Sequence, residues 1–145
     1  MLLFGMRFGH NAIRVKDIQK MLDYYINGFG FKEAFRIKND DGSLRIVYLH
    51  ISEGQYLELC LGGDKRTPFD DTKSLGLRHL ALTVDDLAKT KKELEKRGVV
   101  FDSEIMNMKD KNLAAYLFDP EGNKIELVQV EPESPHSKFE QSLNL

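Results

Sequence analysis

From Arg7 to Lys16 the side chains alternate, with Phe8, His10, Ala12 and Arg14 on one face and Ile13 and Val15 on the other, which is the period of a β-strand. At Asp17 the period changes. Ile18, Met21, Leu22 and Tyr25 recur at helical spacing behind an aspartate suited to cap a helix N-terminus, and Asn27, Gly28 and Gly30 end the helix. Three strand-like runs follow, FKEAFRIK, LRIVYLHIS and QYLELCLG, separated by the turn cluster NDDGS and the hairpin signal SEG. The second half repeats the order. LRHLALTV reads as a strand, a helix runs from Asp85 or Asp86 to Arg97 and stops at Gly98, and VVFDSEIM, NLAAYLFD and NKIELVQV give three more strands. Each half is therefore βαβββ, and the fold class is α+β. Module one covers about 7–62 and module two about 76–131; a polar, Gly- and Pro-broken linker joins them at about 63–75, and 132–145 forms a partly ordered tail.

Composition narrows the classes. The chain has 145 residues, with 41% hydrophobic and 30% charged side chains, as in an ordinary globular protein with a sizeable core. No apolar run approaches the roughly 20 residues needed to cross a bilayer, and MLLFGMRFG is too short and too soon interrupted by Arg7 and His10 to be a secretory signal. The net charge of −2 leaves no basic footprint for nucleic acid. Cys60 is the single cysteine, so an intrachain disulfide framework is excluded and a reducing, cytoplasmic setting is expected. Neither a membrane nor a nucleic acid is an expected partner.

Two short stretches are written twice, each with a metal-binding side chain at the same place. His10 lies in GHNAIRVKDI and His79 in RHLALTVDDL, Glu58 in YLEL and Glu126 in KIEL. His10 and Glu58 are separated by 48 positions, His79 and Glu126 by 47, so the halves superimpose with an offset of 69 and then 68. A lone strand histidine is an ordinary hydrogen-bonded core residue. A buried carboxylate without a partner costs several kcal/mol, and a repeat that keeps two imidazoles and two carboxylates points to one divalent ion. If the last strand of each module pairs beside its first, one His and one Glu project from the same face. The two modules then form a curved, roughly eight-stranded mixed sheet enclosing a metal site. Nitrogen and carboxylate oxygen without thiolate suit Zn, Ni, Co, Mn or Fe(II) in an open site where a substrate can chelate.

The motifs H-x-x-x-R-V-x-D, L-E-L, R-H-x-A-L-x-V-D-D-L and D-P-E-G-N-x-I-E-L, taken together over roughly residues 7 to 131, resemble those of the vicinal oxygen chelate superfamily. That group includes lactoylglutathione lyase (glyoxalase I), methylmalonyl-CoA epimerase, extradiol dioxygenases and fosfomycin-resistance proteins. The resemblance implies His10, Glu58, His79 and Glu126 as ligands, a full set most like the glyoxalase branch. The expected activity is a metal-dependent lyase or isomerase: a substrate with adjacent oxygens chelates the ion, and a proton moves between neighbouring carbons through an enediolate. Glu126 is implied as the base and Glu58 as its counterpart on the other face. The alternatives are an epimerase of an acyl-CoA or sugar derivative, an Fe(II)-dependent dioxygenase, and a non-catalytic small-molecule-binding protein. The family also implies a homodimer.

Arg14 matches a family arginine that pairs with a substrate carboxylate, and strand parity sets it on the His10 face. Tyr48 and Tyr116 stand at the repeat offset of 68 and are candidate walls for substrate. Lactoylglutathione lyases carry Asn and Trp shortly after the first glutamate ligand, whereas here the place reads ELCLGGD. The expected substrate is therefore an anionic or polyhydroxylated carbonyl compound, for a lactoylglutathione lyase-like metalloenzyme whose dependence on glutathione this segment leaves open.

Overall fold

The computed structural model describes residues 5–70 and 72–144. The chain divides into two compact units, Met1–Phe69 and Asp70–Leu145. In the first unit the alternating run forms β1 (His10–Val15). The Asp17 carboxylate then accepts the Lys20 N–H at 3.1 Å, capping α1 (Ile18–Leu22). The helix widens into a π-turn over Asp23–Gly28. Aromatic packing accompanies that widening: Tyr25 is buried, and its ring lies parallel to Phe31 with centroids 5.8 Å apart. β2 (Lys32–Lys38), β3 (Leu44–Ser52) and β4 (Gln55–Leu61) complete a four-stranded sheet in the order β1-β4-β3-β2. β1 pairs with β4 in parallel, and the other neighbours are antiparallel.

The second unit repeats this plan. β5 (Leu80–Thr83) leads to α2 (Leu87–Lys96), whose first turn is capped by the Asp86 carboxylate on the Lys89 N–H at 2.9 Å. Gly98 ends it with a φ of 86°, where a side chain would be strained. β6 (Met106–Asn107), β7 (Leu113–Phe118) and β8 (Lys124–Gln129) then form the sheet β5-β8-β7-β6, with β5 and β8 again parallel. Each unit has its own core. Val15, Met21, Val47, Leu49, Leu57 and Leu59 are fully buried in the first, and Leu87, Ala115, Leu117 and Ile125 in the second. Burying each such Leu side chain stabilises the fold by about 1.5–3 kcal/mol.

The α+β class and the doubled βαβββ order are as expected, but three expectations change. The eight strands form two four-stranded sheets, each drawn from one module, rather than a single eight-stranded sheet. VVFDSEIM is not a strand beyond Met106. Its Asp102 N–H and Ser103 hydroxyl clasp the backbone of Tyr116 at two points instead of forming a ladder, in keeping with the turn preference of Asp and Ser. The stretch 132–145, expected as a partly ordered tail, carries a helix that its sparse periodicity did not announce, α3 (Pro135–Leu143). Ser134, fully buried, caps α3 by accepting the Ser137 N–H, and Pro135 occupies the first turn. Among the described residues, no helix is long and apolar enough to cross a membrane.

Candidate metal centre

The parallel pairing of first and last strands juxtaposes one His and one Glu in each module. In the first, Ala12 lies opposite Glu58, and His10 stands two residues earlier on the same face. His10 Nε2 is 3.0 Å from Glu58 Oε2. In the second, Ala81 lies opposite Glu126, His79 immediately precedes β5, and its Nε2 is 2.9 Å from Glu126 Oε2. The alanine beside each carboxylate leaves room above it. The glutamate side chains are 11% and 13% exposed and the imidazoles 47% and 27%, so the carboxylates are sheltered while the rings reach outward.

The donor set fits a divalent ion. Two ligands at right angles on an ion with bonds of about 2.1 Å stand about 3.0 Å apart, which is the spacing of both pairs. The same spacing makes a His–carboxylate hydrogen bond, with Nε2–H donating. Nδ1 of His79 is buried and has no hydrogen-bond partner among the described residues. Each module thus supplies a pair. Among the described residues, no three His, Cys, Asp or Glu side chains gather into a metal-holding group.

A tyrosine completes each pair. Tyr116 lies opposite Glu126 across β7 and β8, and its hydroxyl donates to Glu126 Oε1 at 2.9 Å. Tyr48 lies opposite Glu58 across β3 and β4. A hydrogen bond to Glu58, together with burial and the carboxylate's charge, pushes the Tyr48 hydroxyl above the usual tyrosine pKa. Each ring stands edge-on to the imidazole of its module: His10–Tyr48 at 5.9 Å and 72°, His79–Tyr116 at 6.3 Å and 73°. Cys60 Sγ lies 3.2 Å from Glu58 Oε1, and burial followed by that contact raises the thiol's pKa, so it is a packing group rather than a ready nucleophile.

Arg14 is opposite Cys60 on the same face and donates from Nη1 to the Leu61 carbonyl at 2.8 Å. Gly62 and Gly63 make this possible. A Cβ on Gly63 would sit 3.2 Å from Arg14 Cγ and from the Val15 carbonyl, and Gly62 has a φ of 102°. Three further residues on these faces were not singled out from the sequence. Phe35 stacks on Tyr48 with centroids 4.4 Å apart, Tyr56 meets the edge of Tyr48, and the Lys124 ammonium lies 4.5 Å from the Tyr116 ring centre. Lys124 and Tyr56 could have been found by strand parity, since each precedes its glutamate by two. Phe35 depends on the register of β2 against β3, which carries a bulge.

The profile of the family described as "Glyoxalase/Bleomycin resistance protein/Dioxygenase superfamily" matches residues 7–127. Bacillus subtilis YwbC is 29% identical over 85% of this chain and 97% of that protein. A lactoylglutathione lyase of Neisseria meningitidis is 29% identical over 86% of this chain and 91% of that enzyme. Among solved structures, a glyoxalase family protein from Enterococcus faecalis superimposes with a TM-score of 0.74 at 22% identity, covering 87% of this chain and 99% of that one.

Proposed function

This chain belongs to the glyoxalase/bleomycin resistance protein/dioxygenase superfamily, and we propose from that premise that it is a metal-dependent lyase or isomerase of glyoxalase type. The observation that carries the reading is the doubled His–Glu pair, 3.0 Å apart in one module and 2.9 Å in the other. His10, Glu58, His79 and Glu126 would together hold one divalent ion per site, Zn2+ or Ni2+ first and Co2+, Mn2+ or Fe2+ as alternatives. A homodimer is proposed, as the family implies. Bound there, the ion would supply Lewis-acid polarisation of a substrate's adjacent oxygens, making the intervening C–H acidic.

The chain's own residues do the rest. Glu126 takes the proton from one carbon and returns it to the next, and Glu58 is its counterpart for the opposite face. Arg14, with its Nη1 held by the Leu61 carbonyl, turns other guanidinium N–H groups to an anionic substituent of the substrate. The substrate class is an anionic or polyhydroxylated carbonyl compound. The segment after Glu58 offers Leu61, Gly62 and Gly63, with the Leu61 carbonyl already engaged by Arg14, in place of the Asn and Trp of the glutathione enzymes, so the substrate panel below decides whether glutathione takes part.

The test begins with elemental analysis of purified protein, where one divalent ion per site is expected and His10→Ala should lower it. Apo-protein reloaded with each of the five metals is then offered the hemithioacetal of methylglyoxal and glutathione, sugar carbonyl compounds and acyl-CoA esters. Conversion of one of these substrates to its isomer is the expected result. Undiminished metal in His10→Ala, or no turnover with any metal and substrate, overturns the proposal.

A further inference from the structure

We propose that Tyr116, and Tyr48 as its counterpart in the first module, are positioning residues for the carboxylate ligands and not walls against the substrate. This inference rests on the reading of the His and Glu pairs as ligands. A carboxylate has two equivalent oxygens and could meet an ion with either or both. In the second module the two oxygens are distinguished: Glu126 Oε2 faces His79 Nε2 at 2.9 Å, while Oε1 accepts the Tyr116 hydroxyl at 2.9 Å. An O–H committed to one oxygen leaves the other to share an ion with the imidazole, and so disfavours two-oxygen binding.

The tyrosine also touches the second ligand. Its ring stands edge-on to the imidazole, at 73° in one module and 72° in the other. One side chain thus sets the orientation of both members of a pair, through its hydroxyl for Glu and its ring for His. The cross-strand placement and the edge-on ring occur twice, at repeat-equivalent positions, with the tyrosine directly across the ladder from the glutamate each time. Each ring is in turn buttressed from the neighbouring strand. The Lys124 ammonium lies against Tyr116 and the Tyr56 ring against Tyr48, both from the position two before the glutamate. A hydroxyl placed to recognise substrate would point away from the carboxylate; that of Tyr116 is spent on it.

Calorimetric titration of the demetallated full-length protein with Zn2+ and with Ni2+ decides the matter, wild type against Tyr116→Phe, which keeps the ring and removes only the donor. The expected result is one ion per site in both, bound about 10-fold or more weakly in Tyr116→Phe, with KM unchanged at saturating metal. Tyr48→Phe should shift in the same direction, and it decides the question should Tyr116→Phe fail to fold. Unaltered metal affinity with a raised KM, the signature of a substrate wall, overturns this inference and leaves the functional reading standing. A wild-type protein that takes up neither ion overturns both.

Discussion

Replacing Glu126 by Gln separates chemistry from folding, because the two effects differ by orders of magnitude. The carboxylate is the acceptor for two donors, Tyr116 O–H on Oε1 and His79 Nε2 on Oε2. A glutamine keeps one acceptor and turns the other position into a donor. If its amide nitrogen faces His79, the ring must switch tautomer and carry its proton on Nδ1, which is buried without a partner among the described residues; a buried unsatisfied donor costs about 1–3 kcal/mol. If the amide nitrogen instead faces Tyr116, the phenol oxygen accepts and only one neutral hydrogen bond is rearranged, at about 1 kcal/mol. The second arrangement prevails, so Tm should fall by about 4 °C. Loss of a positioned general base lowers turnover by about 10²–10⁴-fold. The assay is turnover of whichever substrate the panel identifies, run beside a thermal melt. Turnover within a few-fold of wild type removes Glu126 as the base, and a melt lowered by well over 10 °C would mean that its role is structural.

Three further outcomes are expected. Gly63→Ala introduces a methyl group 3.2 Å from Arg14 Cγ and from the Val15 carbonyl; overpacking there should cost about 1–3 kcal/mol and raise KM for an anionic substrate, and unchanged stability and KM would show that the cradle has slack. Leu127→Ala, at a residue 1% exposed in β8, should cost about 2–5 kcal/mol by chemical denaturation, a loss below 1 kcal/mol contradicting its place in the core. The Asp86 carboxylate is held below its usual pKa of 3.8, first by the backbone N–H of Lys89 and then by the Lys89 ammonium. A depressed pKa contributes stability that is present above 3.8 and lost as pH falls through the folded value. The gap in Tm between wild type and Asp86→Ala should therefore narrow in acid, and a gap independent of pH would rule out the charged cap.

Much of this architecture is legible in one dimension because the periods are clean. Both helix starts are announced by an aspartate that does cap the first turn, Asp17 and Asp86, and five of the six predicted partner strands appear within a residue or two of their expected ends. The failures have local causes. The Asp102 backbone N–H and the Ser103 hydroxyl are taken up by the Tyr116 backbone, and the strand is limited to Met106–Asn107. In EPESPHSKF the prolines read as breakers, yet Pro135 follows a capping serine and so starts a helix. Asn112, far from the tail in sequence, secures that start by accepting the Glu131 N–H and bonding to His136. The His and Glu pairs were visible because a repeat offset tests them without knowledge of register. The tyrosine–carboxylate bonds and the Lys124–Tyr116 contact were not, since which residues face each other across two strands is set by pairing that no single strand records.

Comparison of the two modules also indicates where substrate specificity resides. The repeat keeps four positions in kind: the imidazole, the alanine beside the carboxylate, the carboxylate, and the tyrosine across from it. The positions around them differ: Arg14 corresponds to Thr83, Tyr56 to Lys124, Cys60 to Val128. On the proposed reading, a metal held by two like pairs would offer no preference for one end of a chelating substrate, whereas proton transfer between two carbons must distinguish them. The asymmetry therefore has to come from the neighbours, with Arg14 on the first module's face and Lys124 on the second's. A substrate carrying its anionic group at one end only would be oriented by the guanidinium, whose planar donors match a carboxylate or phosphate in two bonds, rather than by the ammonium already engaged with the Tyr116 ring.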